Sequence, residues 1–349
     1  MSIVLVLLLT LGVSLAGAAQ SASGDTGFED TEIFQIHYPD WFKQSFLDLS
    51  DDLSDAADAG KKGLFLFFTT QGCSYCHLFL EKSLGDPAIA ERVQAHFDTI
   101  GLEVFSDAEM TDFAGQDTRV KQFALDEGVE FTPTLLFYDA SGERLLRLAG
   151  YYDPERFNQV LDYLVGDHHQ AMSLRDYLAS GPTETDGAAE LIADRLFAAP
   201  PYALDRGRIP AERPLLVLFE SWDCPGCEAF HQQVLADPSI RERLQGFDVV
   251  RLDAADAEIP VLMPGGGRTT PRAWYDDLGF TQLPALVFFN EEGRRVLSTD
   301  ALVRSGRMHN SIGFVMDRAY EQGWNYQRYA RSQALKRVTD DTAPNPDDS

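Results

Sequence analysis

The chain of 349 residues carries the motif C-x-x-C twice, and its four cysteines all belong to these two copies. Many surrounding residues repeat at the same offset of 151 positions. Matching positions are Cys73, Cys76, Phe79, Leu84, Asp86, Pro87, Pro133, Phe137 and Gly142 in the first copy, and Cys224, Cys227, Phe230, Leu235, Asp237, Pro238, Pro284, Phe288 and Gly293 in the second. A repeat with this constant spacing predicts two tandem copies of one domain.

Each copy shows the same order of secondary-structure signals. An unbroken apolar run, 63–68 in the first copy and 214–219 in the second, predicts a strand that is buried on both faces, and a helical pattern follows each C-x-x-C. Further strands are predicted over 97–102, 134–138, 247–252 and 285–289. The sequence therefore predicts an α/β fold with two tandem domains, each a mixed sheet flanked by helices.

Composition sets the expected limits of the domains. The prediction is a signal peptide over 1–19, a first domain over 32–180, a linker over 181–190, a second domain over 191–337, and a disordered acidic tail over 338–349. The linker is rich in turn-forming residues. The aromatic residues Trp324, Tyr326 and Tyr329 indicate a final helix that packs on the second domain.

The first 19 residues have the pattern of a secretory signal, with an apolar run before the small residues Ala16-Gly17-Ala18. The run is shorter than the roughly 20 residues that a membrane-spanning helix needs, so we expect export, cleavage near Ala18 or Ala19 and no stable membrane insertion. No lysine or arginine precedes Lys43, which keeps an uncleaved membrane anchor and a misassigned start codon open as alternatives.

Charge excludes one class of function. The chain has 29 basic and 55 acidic side chains, and its formal net charge of −26 repels phosphate backbones and anionic membranes. We therefore expect no nucleic-acid partner.

The first motif alone fits three kinds of site. Cys73 and Cys76 followed by His77 match a c-type haem attachment sequence, half of a zinc site, and a redox-active dithiol. The second copy has Glu228 where the first has His77, which argues against haem. The long stretch of chain between the copies argues against one shared zinc ion. We expect no metal and no dissociable cofactor. A tandem module in which only one copy performs chemistry and the other binds clients stays open.

A C-x-x-C at a helix start suits dithiol chemistry. Positions i and i+3 lie close enough for a disulfide without backbone movement. Free N–H groups at the helix start lower the pKa of the first thiol. We therefore expect Cys73 and Cys224 to be the nucleophiles, and Cys76 and Cys227 to be the resolving thiols.

With a proline before a later apolar strand, this pattern resembles the thioredoxin fold. The resemblance implies that Pro133 and Pro284 are cis and face the dithiols, and that Thr132 and Leu283 shape a groove for an extended substrate segment. The first copy further resembles exported thioredoxin-like proteins of the SoxW type. The segments that carry this likeness are His37–Phe42, Phe46–Ser50, Ala59–Lys61, Gly72–Cys76, Phe131–Thr134 and Gly150–Tyr152. The segment Cys-x-Tyr-Cys-His and the threonine before Pro133 also resemble periplasmic disulfide isomerases, so the direction of electron flow stays open.

One departure concerns proton transfer. Thioredoxins carry a buried aspartate six residues before the first cysteine, and the matching positions hold Phe67 and Leu218. Glu220 is a candidate substitute in the second copy, with a solvated or salt-bridged strand-end residue as the alternative.

The neighbours of the cysteines are expected to tune the sites separately. His77, if protonated, stabilises the Cys73 thiolate, whereas Asp223 opposes the Cys224 thiolate. Tyr75, between the first two cysteines, is also expected to tune the first site. The first site is predicted to be the more oxidising and the faster to react. For His77, a solvent-facing helix position without redox effect is the alternative.

The sequence thus predicts an exported protein-disulfide oxidoreductase. Its expected partners are exported proteins with disulfides, and the resemblance implies that it reduces them. A membrane thiol reductase is the expected electron donor, because an oxidising compartment would otherwise leave both pairs as disulfides. Disulfide isomerase and oxidase activities remain alternatives.

Overall fold

The computed structural model describes residues 28, 30–179, 191 and 194–341. The predicted signal peptide, the predicted linker 181–190 and residues 342–349 lie outside the described residues. The first repeat contains the elements α1 (Leu49–Asp58), β1 (Gly63–Thr69), α2 (Ser74–Leu78), α3 (Pro87–His96), β2 (Phe97–Glu103), β3 (Glu109–Thr111), β4 (Asp117–Arg119), α4 (Val120–Asp126), β5 (Thr134–Asp139), β6 (Arg144–Ala149), α5 (Pro154–Val165) and α6 (Leu174–Ala179).

The second repeat has the same core order. Its elements are β7 (Leu215–Glu220), α7 (Pro225–Phe230), α8 (Pro238–Leu244), β8 (Asp248–Asp253), β9 (Val261–Leu262), β10 (Arg268–Thr269), α9 (Pro271–Asp277), β11 (Ala285–Phe289), β12 (Arg295–Thr299), α10 (Ser305–Met316) and α11 (Tyr326–Asp341).

Both domains contain a four-stranded mixed sheet. The strand order is β2-β1-β5-β6 in the first and β8-β7-β11-β12 in the second. In each sheet the strand before the C-x-x-C is parallel to one neighbour and antiparallel to the other. This confirms the predicted fold class of two tandem domains, each a mixed sheet flanked by helices.

The central strands explain the unbroken apolar runs. All seven residues of β1 are buried. Leu64, Leu66 and Phe68 pack in one apolar cluster, and Phe65 and Phe67 pack in another on the opposite face. Each fully buried apolar side chain stabilises the fold by about 1.5–3 kcal/mol. Strand β7 repeats this arrangement, so both central strands are held between layers of helices.

The repeated Asp-Pro pairs mark helix starts. Asp86 Oδ1 accepts a hydrogen bond from Ala88 N at 2.8 Å, and Pro87 occupies the first position of α3. Asp237 and Pro238 perform the same roles at α8. Proline suits the first helical position because its missing N–H would have no intrahelical partner there.

The helices that carry the C-x-x-C motifs widen after one turn. A π-helical segment, Phe79–Ser83, follows α2, and a matching segment, His231–Leu235, follows α7. Ser83 Oγ donates to Tyr152 O at 2.6 Å and links the first segment to the chain after β6. The sequence periodicity indicated helix here without distinguishing this wider form.

The last helix differs from expectation at its end. Helix α11 continues to Asp341, past position 338 where the disordered tail was predicted to begin. Extending an existing helix by a residue is far easier than starting a new one, and this favours the longer helix. Its first turn packs as predicted, because Tyr326 and Tyr329 belong to the apolar core of the second domain. The ring of Tyr326 also lies 4.3 Å from that of Phe131 in the first domain.

The two domains are in direct contact. Tyr152 Oη and Thr281 Oγ1 are 2.6 Å apart, and Arg175 forms an ion pair with Asp276. The absence of a side chain at Gly150 permits a close approach of the two domains, because a Cβ atom at this position would lie 2.3 Å from the Cβ of Ala301. The first domain therefore packs against the loop that joins β12 to α10.

Candidate functional site

The first C-x-x-C lies where β1 leads into α2. Cys73 and Cys76 form a disulfide, and Cys76 N donates a hydrogen bond to Cys73 Sγ at 3.1 Å. Cys73 is 9% exposed, whereas Cys76 is fully buried. A backbone N–H directed at Sγ stabilises a thiolate at Cys73 when the bond is reduced. The order of exposure is the one that the predicted nucleophile and resolving thiol require, and these roles stay predictions.

The second C-x-x-C repeats this geometry at the start of α7. Cys224 and Cys227 form a disulfide, and Cys227 N donates to Cys224 Sγ at 3.0 Å. Cys224 is partly exposed and Cys227 is buried. In each pair the first cysteine is the more exposed residue, but Cys73 is itself buried whereas Cys224 is partly exposed.

A cis-proline lies beside each disulfide. The Thr132–Pro133 and Leu283–Pro284 peptide bonds are cis. Thr132 and Cys73 line the same cavity. In the second domain a Cβ atom on Gly226, between the two cysteines, would lie 2.8 Å from Leu283 O, so glycine allows the motif and the proline loop to approach.

His77 and Tyr75, the two predicted tuning residues of the first site, are both held by contacts with other side chains. The His77 ring stacks on Phe34 with 4.1 Å between ring centroids, and its Nε2 lies 3.5 Å from Glu81 Oε2. Tyr75 is buried, and its hydroxyl donates to Asp30 Oδ2 at 2.7 Å. Burial raises the pKa of Tyr75 well above its ordinary value, so this phenol stays protonated.

The acidic neighbours of the second site differ from one another. Asp223 is exposed and accepts a hydrogen bond from Ser221 Oγ at 2.6 Å. Glu220 is 1% exposed, lies 2.8 Å from His231 Nε2 and lies 3.8 Å from Arg251. Glu220 is therefore a salt-bridged residue at the end of β7 and not a solvated one. Its proposed part in proton transfer stays a prediction.

Three residues that the motifs did not indicate cover the first site. Arg307 lies with its guanidinium carbon 3.6 Å from the centroid of the Tyr75 ring, and its Nη2 donates to Thr132 O at 2.8 Å. Gln327 Nε2 donates to Glu130 O at 3.2 Å. Asp30 accepts hydrogen bonds from the first backbone N–H groups of α10.

These covering residues were missed for a simple reason. Arg307 and Gln327 belong to helices of the second domain, far from Thr132 in sequence, and Asp30 precedes the predicted start of the first domain. No spacing rule links positions that meet only through domain packing. The second domain covers Thr132 and Pro133, where the resemblance implied a groove for an extended substrate segment, and the part of these residues in substrate binding stays a prediction.

The second groove is uncovered by comparison. Leu283 and Pro284 are both partly exposed, whereas Thr132 and Pro133 are buried. Trp222, two residues before the first cysteine of this site, is 36% exposed. The two copies therefore share one site geometry and differ in access.

The described residues contain neither a metal site nor a membrane-spanning helix. In 28, 30–179, 191 and 194–341, no cluster of three or more His, Cys, Asp or Glu side chains is placed to hold a metal ion. Over those same ranges, no helix is both long and apolar enough to cross a membrane.

The sequence profile of the thioredoxin-like domain family matches residues 49–165 and 208–310. These two regions make up more than half of the chain, and the chain therefore belongs to this family. Each matched region contains one C-x-x-C disulfide beside a cis-proline. The chain is thus a tandem thioredoxin-like protein with two sites of the kind used in thiol–disulfide exchange.

The chain is similar to several solved structures. A thioredoxin-fold protein from Helicobacter pylori is 22% identical, with 40% of this chain and 91% of that chain covered and a TM-score of 0.33. The reduced DsbD c-terminal domain of Neisseria meningitidis is 14% identical, with 31% and 84% covered and a TM-score of 0.24. A component of the alkylhydroperoxide reductase of Enterococcus faecalis is 12% identical, with 79% and 99% covered and a TM-score of 0.25. A search of curated proteins finds no match.

Proposed function

We propose that this chain is an exported thiol:disulfide oxidoreductase that reduces disulfides of exported partner proteins. The observation that carries the proposal is the same in both domains: a disulfide at a helix start lies beside a cis-proline loop. Cys73 is the more exposed cysteine of the first pair and Cys224 of the second. A first cysteine that is more exposed than the second suits an ordered two-step exchange.

The proposed reaction passes two electrons to the substrate. The thiolate of Cys224 attacks one sulfur of a substrate disulfide, and the other substrate sulfur leaves as a thiolate that takes up a proton. Cys227 then attacks the mixed disulfide, releases the second substrate thiol and closes the disulfide that the structure contains. Cys73 and Cys76 react in the same way.

The proposed compartment and donor rest on the sequence. The signal-like first 19 residues and the SoxW-type resemblance of the first copy support export and a reducing role. An oxidising compartment would leave both pairs as disulfides, so we propose a membrane thiol reductase as the electron donor. Isomerase and oxidase activities are the alternatives, and the redox potentials of the two sites distinguish them.

Trapping of the mixed disulfide tests the proposal. Replacing the resolving thiols, Cys76→Ser with Cys227→Ser, leaves the attacking thiols without a partner. After reaction with insulin, this variant is expected to retain a covalent adduct that dithiothreitol releases. The matched control replaces the attacking thiols, Cys73→Ser with Cys224→Ser, and is expected to retain none. Equal trapping by both variants contradicts the assignment, and no exchange by the wild-type protein contradicts the function.

A second candidate function follows from the covered first groove. The contact of Arg307 with Thr132 O favours a module in which only the second site performs chemistry and the first domain serves as a binding or packing unit. A variant that keeps only Cys73 and Cys76 distinguishes a protein with two active sites from one in which only the second site is active. If only the second site is active, this variant exchanges with no disulfide, small or large.

A further inference from the structure

The backbone that an extended polypeptide needs at the first site is already hydrogen-bonded. Thr132 O accepts a bond from Arg307 at 2.8 Å, and Glu130 O accepts one from Gln327 at 3.2 Å. The Tyr326 ring lies against that of Phe131. A substrate strand that pairs with residues 130–132 would have to displace all three contacts. The packed domains therefore exclude such a strand from the first site.

A cavity of about 420 Å³ nevertheless reaches Cys73. Its walls include Phe34, Gln71, Thr132, Arg331 and Arg337, together with Arg307. Binding sites for small molecules commonly have volumes of roughly 300–1,000 Å³. The cavity thus has room for a small molecule next to Cys73, at a site from which a polypeptide strand is excluded.

The charges of this cavity favour an anion. Arg307 is 7% exposed, and its guanidinium donates to two carbonyl oxygens, Leu302 O and Thr132 O, both at 2.8 Å. No carboxylate within the described residues forms an ion pair with it. Arg337 Nε is buried and has no hydrogen-bond partner among the described residues. A buried guanidinium such as that of Arg307 is unfavourable without an anionic partner, and a carboxylate ligand would compensate it.

The acidic groups of the cavity do not cancel this charge. The Asp30 carboxylate accepts bonds from Gly306 N, Arg307 N and the Tyr75 hydroxyl, and Glu32 is exposed. Three arginines and two carboxylates therefore line the cavity, which leaves it one net positive charge, and Arg331 and Glu32 are both exposed. In a chain of net charge −26, this is a local reversal of sign.

We propose that the first site exchanges with small disulfides that carry carboxylates, whereas the second site takes polypeptide disulfides. This inference rests on the proposed thiol–disulfide function. The Cys73 thiolate attacks one sulfur of the small disulfide R–S–S–R, and one RS⁻ leaves and is protonated. Cys76 then attacks Cys73 Sγ of the mixed disulfide, and a second RS⁻ leaves as the Cys73–Cys76 bond closes. Two protein thiols are oxidised and one small disulfide is reduced.

Two probes of similar size and opposite charge test the proposal. They are 3,3′-dithiodipropionate, a dianion, and cystamine, a dication. The protein is the full chain with one site removed: Cys224→Ser with Cys227→Ser keeps the first site, and Cys73→Ser with Cys76→Ser keeps the second. Pre-reduced protein is mixed with each probe, and oxidation is followed by alkylation and mass measurement. Each rate is divided by the rate at which free dithiothreitol reduces the same probe, which removes intrinsic differences between the probes.

The first site is expected to prefer the dianion by about tenfold or more, the factor that corresponds to one well-placed ion pair in a partly buried site. The second site, which has Asp223 and Glu220 nearby, is expected to show no such preference. With insulin as substrate, we expect the variant that keeps only the second site to react faster than the variant that keeps only the first.

Arginine variants locate the effect. Arg331→Ala and Arg337→Ala in the first-site protein are expected to slow the reaction with the dianion and not that with cystamine. Arg328→Ala is the matched control, because Arg328 lies on the same helix, is exposed and stacks on Trp324 away from the cavity. It is expected to change neither rate.

The outcomes separate this inference from the proposed function. Equal normalised rates for the two small disulfides at the first site, or insulin reduction there as fast as at the second site, overturns the inference while the oxidoreductase function stands. Absence of exchange with every disulfide at both sites overturns the proposed function itself. Neither comparison depends on an interface variant that fails to fold.

Discussion

At the scale of single residues, the two C-x-x-C sites differ in the charged side chains that lie near them, and Arg307 adds to this difference. The sequence indicated that His77, if protonated, is a cation beside Cys73, and the structure adds the buried Arg307 guanidinium over Tyr75. The second site instead has Asp223 beside Cys224. Cations stabilise a thiolate and carboxylates destabilise it, so the difference favours the dithiol form at the first site.

We therefore expect the first site to have the higher redox potential, by at least about 30 mV, which for two electrons is roughly a tenfold difference in the equilibrium constant. Equilibration of the two single-site proteins with glutathione buffers measures both potentials. Replacing Arg307 by Gln is expected to narrow the gap. A higher potential at Cys224 and Cys227 contradicts this reasoning. For polypeptide substrates we expect the second site to react faster than the first, which is the reverse of the order predicted from the sequence. The reason is that a polypeptide cannot reach Cys73 while the second domain covers the groove.

The buried carboxyl group of Asp300 makes the stability of the loop before Pro284 depend on pH. Its carboxylate accepts bonds from Thr281 N at 2.7 Å, Thr281 Oγ1 at 3.0 Å and Gln282 N at 3.2 Å. Burial raises the pKa of Asp300 above its ordinary 3.8 despite these bonds. A raised carboxyl pKa means that the folded protein holds this proton more tightly than the unfolded chain.

Protonated Asp300 stabilises the folded protein. This contribution is fully present when the pH is below the pKa of Asp300 in the unfolded chain, and it is lost as the pH rises through the pKa of Asp300 in the folded protein. Asp300→Asn does not titrate. We therefore expect the variant to gain stability relative to the wild type between about pH 4 and about pH 7. Denaturant midpoints of both proteins at the two pH values measure this, and the other carboxyl groups cancel in the comparison. A gap that widens against the variant at higher pH contradicts the assigned direction.

The sequence predicted the elements well where one pattern dominates. Strand β1 was expected over 63–68 and is observed over Gly63–Thr69, because an unbroken apolar run between turns leaves few alternatives. The two prolines that the resemblance implied to be cis are cis in the structure, and their part in substrate binding stays a prediction. The π-helical segments Phe79–Ser83 and His231–Leu235 were not predicted, since α- and π-helical turns bury the same residue types.

Gly150, after β6, tests the contact between elements of the two domains. It has φ +87, and an added Cβ would meet Ala301. Gly115 is a matched control, because it has φ +76 and no atom within 4 Å of an added Cβ. The left-handed backbone alone costs an alanine about 1–2 kcal/mol. We expect Gly115→Ala to lose about that much and Gly150→Ala to lose clearly more, as seen in melting temperatures. Equal losses would falsify the close approach of the domains.

At the scale of the whole molecule, duplication produced two sites and domain packing made them different. The sequence revealed the duplication because the repeat is local and regular. The packing was not predictable, because Arg307 and Gln327 meet Thr132 only when both domains are folded. The same helices, α10 and α11, complete the core of the second domain and cover the first site. One protein thereby presents an open dithiol and a covered dithiol.

The central claim is that both C-x-x-C pairs undergo reversible dithiol–disulfide exchange. Thiol counting across a series of dithiothreitol redox buffers tests it most directly, with alkylation and mass measurement of the wild-type chain at each step. We predict that thiols appear in pairs, as zero, two and four, and that each pair is assigned by peptide mapping to Cys73 with Cys76 or to Cys224 with Cys227. A pair that stays oxidised or stays reduced across the whole series, or cysteines that react singly, contradicts the account.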